Sequence, residues 1–275
     1  MAKPVATNHV IITGAGSGLG LGMAIRYLKR GCNVAVLDLA LTAASNAQLD
    51  VAAKAANAVW QYYKADITDF NSLHVAVTRA VADFGAPILA INSAGVVLNK
   101  AFADMQPGDF SRVININLNG SNNFAAAVLP TMKVGSRLAL MASLAGITSN
   151  YAYTAYAASK FGVIGLATTL RYEYQPLGIH ISYVCPPEVR TPMVLQEREN
   201  ANPIAMDLKA LAGSLNIDSA CEQIVAGLDA GRWQIIPGLN ARLTAWTARY
   251  LPAVFSFVML KLIKRAMRKH GVASS

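Results

Sequence analysis

His9-Val10-Ile11-Ile12-Thr13-Gly14-Ala15-Gly16-Ser17-Gly18-Leu19-Gly20 is a short strand-like run that breaks into alternating glycines. The periodicity predicts a strand over His9–Thr13, a helix over Leu19–Arg30 and a second strand over Asn33–Leu37, which is a βαβ unit. Glycines between a strand and a helix allow unusual dihedrals and leave no Cβ between the backbone N–H groups and an anion. Thr13, Gly14, Ser17, Gly18, Leu19 and Gly20 are therefore candidates to cradle a pyrophosphate at the start of the helix. The spacing is GxxxGxG, and no triplet of these glycines satisfies GxGxxG. Read alone, the loop is also compatible with a turn that binds nothing.

Outward from this unit, the same alternation continues with strands near Val59–Tyr63, Ile88–Ile91, Leu138–Met141, Ile179–Val184 and Trp233–Ile236. Seven short strands joined by helical crossovers predict an α/β fold, a single Rossmann-type doubly wound domain with a seven-stranded parallel sheet. At 275 residues one core suffices, and the reading divides the chain into a catalytic domain over 1–238 and a helical C-terminal extension over 239–275. Between them, Pro186–Asn216 carries Pro186, Pro187, Pro192 and Pro203 and reads as a partly helical lid.

Hydrophobic residues make up 54% of the chain and charged ones 14%, with a mean hydropathy of +0.35, so apolar material exceeds what one core needs. Cys32, Cys185 and Cys221 lack zinc or dithiol spacing and read as buried thiols, and no metal site is expected. Met1–His9 has no apolar run of the secretory kind, which predicts a cytoplasmic protein. The net charge of +9 is not spread out: residues 239–275 hold seven Lys or Arg and no acid, leaving 24 − 7 = 17 bases against 15 acids upstream. A nearly neutral body argues against a nucleic-acid partner.

Two further constellations carry chemistry. Asp38 ends the second strand twenty positions after Gly18, where a carboxylate can accept from ribose hydroxyls, although an Asp there also suits a helix N-cap. It opposes a 2′-phosphate, and Leu39–Ala44 offers no Arg or Lys to receive one, so NAD(H) is favoured over NADP(H). Tyr156 and Lys160 stand at i and i+4 of a helical stretch, on one face. A cation about 5 Å from a phenol, at an effective dielectric near 20, favours phenolate by roughly 3 kcal/mol, a little over two pKa units. That brings a group of pKa near 10 into the range of a general acid and base. A YxxxK on a helix can equally be a surface pair.

With these residues in place, the chain resembles the short-chain dehydrogenases/reductases over roughly residues 8–238. The resemblance rests on Thr13–Gly20, Asp66 after the third strand, Asn92-Ser93-Ala94-Gly95 after the fourth, Asn117-Leu118-Asn119-Gly120, Ser143 thirteen residues before Tyr156, and Tyr156 with Lys160. It implies that Tyr156 exchanges the substrate proton and that Lys160 holds the nicotinamide ribose. Ser143 would hydrogen-bond the substrate oxygen, and Asn117 would hold a water linking Lys160 to solvent. Asp66 and Ile67 would meet the adenine. Asn92 would support the central sheet and, with Ala94 and Gly95, flank the cofactor. Pro186, Val189 and Thr191 would meet its nicotinamide end. Asn117 could instead be a satisfied buried amide, and Ser143 a strand-end cap. Two departures stand out: Ser93 replaces a usual Asn, and Pro187 replaces a usual Gly, which restricts the backbone and removes a donor.

Pro186-Pro187-Glu188-Val189-Arg190-Thr191-Pro192, the Glu197–Asn200 run and the basic tail also resemble the branch containing 3-ketosphinganine reductases, enzymes that usually employ NADPH. The leading expectation is an NAD(H)-linked secondary alcohol dehydrogenase or ketone reductase for a hydrophobic, lipid-like small molecule. A 3-oxoacyl-thioester reductase served by an acidic carrier protein and a catalytically silent nucleotide-binding protein are the alternatives. The resemblance implies a homodimer or homotetramer built on the helices containing Asn117 and Tyr156. The tail has two readings that stay open. Tyr250–Ile263 is shorter than the roughly 20 residues that span a bilayer, but residues 250–275 combine apolar side chains with Lys261, Lys264, Arg265, Arg268 and Lys269, as peripheral membrane helices do. The same residues could pack on another subunit or cover the substrate cleft.

Overall fold

A computed structural model describes residues 8–191, 194 and 201–272. Strands β1 (His9–Thr13), β2 (Asn33–Asp38), β3 (Trp60–Lys64), β4 (Leu89–Asn92), β5 (Arg137–Met141) and β6 (His180–Val184) lie within a residue of their expected positions. They form a parallel seven-stranded sheet in the order β3-β2-β1-β4-β5-β6-β9. The strands β7 (Glu188–Val189) and β8 (Ser214–Leu215) make a separate pair, and β9 (Gln234–Ile235) closes the main sheet. The expected doubly wound fold with a helical C-terminal region is borne out.

Period-two alternation explains why this sheet is buried on both faces. Val10 and Ile12 of β1, with Val34 and Val36 of β2, face one hydrophobic cluster, while Ile11, Ala35 and Leu37 face the other. The first cluster is covered by α1 (Gly18–Leu28) and α2 (Ala43–Ala56), through Met23, Leu28 and Leu49. The second is covered by α3 (Phe70–Phe84), through Leu73 and Val77, and by residues of the segments that follow β4.

After β4 the chain forms α4 (Asp109–Ile114), a π turn over Asn115–Asn119 and α5 (Gly120–Val128). The short helix α6 (Ala145–Thr148) and the long α7 (Thr154–Tyr174) follow β5. Because strand order runs outward in both directions from β1 and β4, a crevice opens beyond their C-terminal ends, where ligands of open α/β sheets bind.

The lid is partly helical, as expected. Its roots are stitched together where β7 pairs with β8, and α8 (Pro203–Ala212) lies between them. The side chain of Asn202 caps α8 by accepting from Ile204 and Ala205 N–H, and Pro203 suits its first turn. The Glu197–Asn200 run and Pro192 lie outside the described residues. Beyond α9 (Ile217–Asp229), the extension consists of α10 (Leu239–Tyr250) and α11 (Pro252–Lys269), bent by 116° about Leu251. The extension packs on the domain through two small hydrophobic clusters beside its core. Ala241 and Ala245 pack with Leu144, and Ala266 packs with Ile204 and Leu208 of α8.

Candidate active site

The crevice beyond β1 and β4 holds a cavity of about 600 Å³. Its cofactor-side wall contains Thr13, Gly14, Ser17, Gly18, Leu19 and Gly20, then Asp38, Asp66, Ile67, Ala94 and Gly95. Gly14 has φ +64°, and a Cβ there would stand 2.6 Å from Ala94 N, so the loop can lie this close to the β4 end only without a side chain. Ser17 caps α1 in extended conformation with no side-chain cap bond, which leaves its hydroxyl and the helix N-terminus facing the cavity. The Asp38 carboxylate accepts from Gly16 N–H at 2.8 Å and from Leu39 N–H at 2.7 Å, so the glycine loop itself holds it on the wall. The cradle, the helix N-terminus and a carboxylate at the end of β2 fit a dinucleotide. Asp66 turns one oxygen to Thr68, accepting from its N–H at 2.8 Å and its hydroxyl at 2.7 Å, and so shapes the wall beside Ile67.

On the opposite wall, α7 brings Tyr156 and Lys160 to the cavity one turn apart. The Lys160 Nζ lies 5.7 Å from the centre of the Tyr156 ring and donates to Met141 O at 2.9 Å. Lys160 is only 5% exposed, and burial lowers its pKa from 10.5 to about 8. Ser143, just past β5, lines the same cavity, and its Oγ accepts from Ala145 N–H at 3.2 Å. Cys185 is fully buried, and burial pushes its thiol up to about 12, which makes it no nucleophile. All three cysteines are buried and free.

Two expected site residues sit behind the wall. The amide of Asn117 is buried, its Oδ1 accepting from Val96 N–H at 2.8 Å and its Nδ2 donating to Val96 O and Ser159 Oγ, each at 2.9 Å. Ser159 Oγ donates in turn to Tyr156 O at 2.7 Å. The Asn117 side chain is thus consumed in joining the Gly95–Val96 segment to α7. A Cβ on Gly95 would stand 3.0 Å from Asn117 Oδ1 and 3.5 Å from Lys160 Nζ, which shows how tightly the three converge. Asn92 likewise does not line the cavity. Its Oδ1 accepts from Thr13 Oγ1 at 2.6 Å and its Nδ2 donates to Ser121 Oγ at 2.8 Å, tying β1, β4 and α5 together.

Pro186, Val189 and Thr191, expected to meet the nicotinamide, all reach the cavity. Pro187 does not divert the segment, because Pro186 O accepts from Leu144 N–H at 2.9 Å on one side and Val189 pairs with Leu215 on the other.

Several wall residues escaped the sequence reading. Glu188 and Lys209 form an ion pair at 3.2 Å with side chains only 7% and 14% exposed, and Lys209 Nζ lies 5.0 Å from the Tyr153 ring centre. Leu208 of α8, Thr244 of α10, and Phe255 and Met259 of α11 complete the wall. Phe255 and Met259 carried a signal, their i, i+4 spacing on an amphipathic helix, whereas Glu188 and Lys209 had none.

Residues 8–202 match the profile of a family described as short chain dehydrogenase. The 3-dehydrosphinganine reductase TSC10B of Arabidopsis thaliana is 31% identical over 237 residues, covering 84% of this chain and 70% of that protein. A short chain dehydrogenase from Mycobacterium paratuberculosis, solved bound to NAD, has a TM-score of 0.77 at 24% identity over 86% of this chain and 98% of its own. One from Burkholderia cenocepacia, in complex with NADP, has a TM-score of 0.75 at 20% identity over 92% and 98%.

Proposed function

The chain belongs to the short-chain dehydrogenase family, and from that premise we propose that it interconverts a ketone and a secondary alcohol on a hydrophobic, lipid-like substrate with NAD(H), using Tyr156 as general acid and base. The observation that carries this reading is the single cavity onto which Ser143, Tyr156 and Lys160, the glycine loop and the apolar side chains of Leu208, Phe255 and Met259 all open.

The nicotinamide supplies or receives the hydride when bound. In the reductive direction the Tyr156 hydroxyl gives its proton to the substrate oxygen as negative charge develops there, and Ser143 Oγ donates a second hydrogen bond to that oxygen. The Lys160 ammonium beside the ring stabilises the phenolate that remains. Asn117 acts by position, since its bonds to Val96 and Ser159 hold the catalytic helix against the segment after β4.

The Asp38 carboxylate on the cofactor wall supports NAD(H), because a 2′-phosphate there would face a like charge. The relative from Arabidopsis thaliana is named for reducing 3-dehydrosphinganine, a long-chain ketone. A wall that joins apolar side chains to the Glu188–Lys209 pair suits a ketone with an alkyl chain and a polar end. Exposed Phe110 on α4, and Phe161 and Tyr172 on α7, support a homodimer or homotetramer built on those helices.

A nicotinamide absorbance assay tests the proposal by comparing long-chain ketones, short ketones and 3-oxoacyl thioesters with NADH and NADPH. The expected result is higher kcat/KM for long-chain ketones with NADH. Turnover confined to carrier-bound thioesters, or preference for NADPH, contradicts the substrate or cofactor assignment respectively.

A further inference from the structure

The outward faces of α10 and α11 are apolar and unclad. Leu239, Leu243, Trp246 and Tyr250 follow one another at helical spacing along α10, and Val254, Phe257 and Val258 continue beyond the bend, each 47–78% exposed. Large contiguous apolar surface of this kind marks an interaction site. The inward faces do something different. Ala241, Ala245 and Ala266 anchor the pair on Leu144, Ile204 and Leu208, while Thr244, Phe255 and Met259 close the substrate cavity. One pair of helices therefore separates the cavity from whatever covers its outer side.

Charge identifies that cover. Residues 239–272 contain no acid. Lys269 pairs with Asp207, but among the described residues no acid pairs with Arg242, Arg249, Lys261, Lys264, Arg265 or Arg268. Lys261 Nζ sits 4.4 Å from the centre of the exposed Phe257 ring, a cation carried on an apolar anchor. A two-fold pairing of this face with a second copy would set the cation cluster against itself with no acid on the face to offset it. An anionic lipid surface instead takes up both the apolar side chains and the cations, with Trp and Tyr at the polar boundary. Among the described residues no single helix is long and apolar enough to cross a bilayer. The 116° bend and the buried inner faces keep both helices lying along the protein.

We propose that α10 and α11 seat the protein on an anionic membrane surface, with Trp246, Tyr250 and Phe257 inserted, and that the alkyl chain of the substrate passes from the lipid into the cavity beside Phe255 and Met259. The second half rests on the lipid-like substrate reading; the first does not.

Flotation of the full-length protein with phosphatidylcholine vesicles, with and without phosphatidylglycerol, tests the docking. The protein should float with anionic vesicles at low salt and be released at high salt. Leu243→Glu with Trp246→Glu should abolish flotation. Lys261→Gln with Lys264→Gln should weaken vesicle affinity on the order of thirtyfold, from about fivefold per cation. All four side chains lie outside the cavity, so turnover of a short water-soluble ketone should persist in both variants, while turnover of a vesicle-borne long-chain ketone should fall at least tenfold. Native protein that stays soluble with anionic vesicles at low salt overturns the docking. So does a change in particle mass in the Leu243→Glu/Trp246→Glu variant without loss of flotation, which assigns the face to a second copy. Retention by an acidic carrier protein but not by vesicles overturns it as well. Flotation without turnover of any ketone sinks the substrate reading and leaves the docking standing.

Discussion

At the residue scale, the proposed chemistry rests on a phenol and an ammonium one helical turn apart. Tyr156→Phe removes the transferable proton and leaves the glycine loop intact, so turnover should nearly vanish while NADH affinity is kept. Retention of more than about a tenth of native kcat, a loss of only about 1.4 kcal/mol, contradicts the acid and base role. Lys160 makes a second, thermodynamic prediction. Burial lowers its pKa from 10.5 to about 8, so between these values the folded chain binds fewer protons than the unfolded one. Stability of the cofactor-free protein therefore rises with pH across that window, and below about 8 the cost of burying the charged ammonium is present in full. Lys160→Met removes the cost, so its stability advantage over the native protein should shrink as pH rises from about 8 toward 10.5. A difference that stays flat with pH in chemical denaturation refutes the lowered pKa.

At the element scale, α8 places Leu208 and Lys209 on the cavity wall, and its start depends on one side chain. Asn202 Oδ1 accepts from Ile204 N–H at 3.0 Å and Ala205 N–H at 3.4 Å, and Asn202 N–H donates to Asn99 Oδ1 at 3.1 Å. Asn202→Ala loses the cap and keeps the backbone bond, a cost of about 1 kcal/mol. Because the loss falls on the lid, KM for a long-chain ketone should rise several-fold while the cofactor Kd holds. An unchanged KM means that α8 does not contact the substrate. The π turn at Asn115–Asn119 works on the same scale, since it interrupts the α4–α5 run where the Asn117 side chain must meet Val96 and Ser159.

At the scale of the whole molecule, separate stretches enclose one cavity: the strand ends of the sheet, the start of α7, the lid and the C-terminal helix pair. The helix pair is part of the folded body, because Ile204 and Leu208 are 2% and 6% exposed against Ala266 and its neighbours. Deleting residues 252–275 uncovers both side chains and should cost on the order of 3 kcal/mol of stability. It also removes Phe255 and Met259 from the cavity wall, so long-chain ketones should lose affinity more than short ones. A truncated protein with native stability and native chain-length preference shows that α11 is dispensable to the cavity.

The division between sequence and tertiary structure follows the range of the interactions involved. Strand positions, the glycine loop, Asp38 and the Tyr156–Lys160 pair were legible because each depends on spacing within one element or across one turn, where periods of 2 and 3.6 convert directly into position. The fate of a side chain amide was not legible. Asn92 was expected both to support the sheet and to flank the cofactor, and Asn117 either to hold a water or to be a satisfied buried amide; partners 79 and 42 positions away in sequence decide for the structural role in each case. The Glu188–Lys209 pair and the bend between α10 and α11 were equally hidden, and that the tail covers the cleft through Phe255 and Met259 was only one of the readings the sequence left open. An amphipathic pattern specifies that a helix buries one face, but which surface receives that face is decided only when distant elements dock.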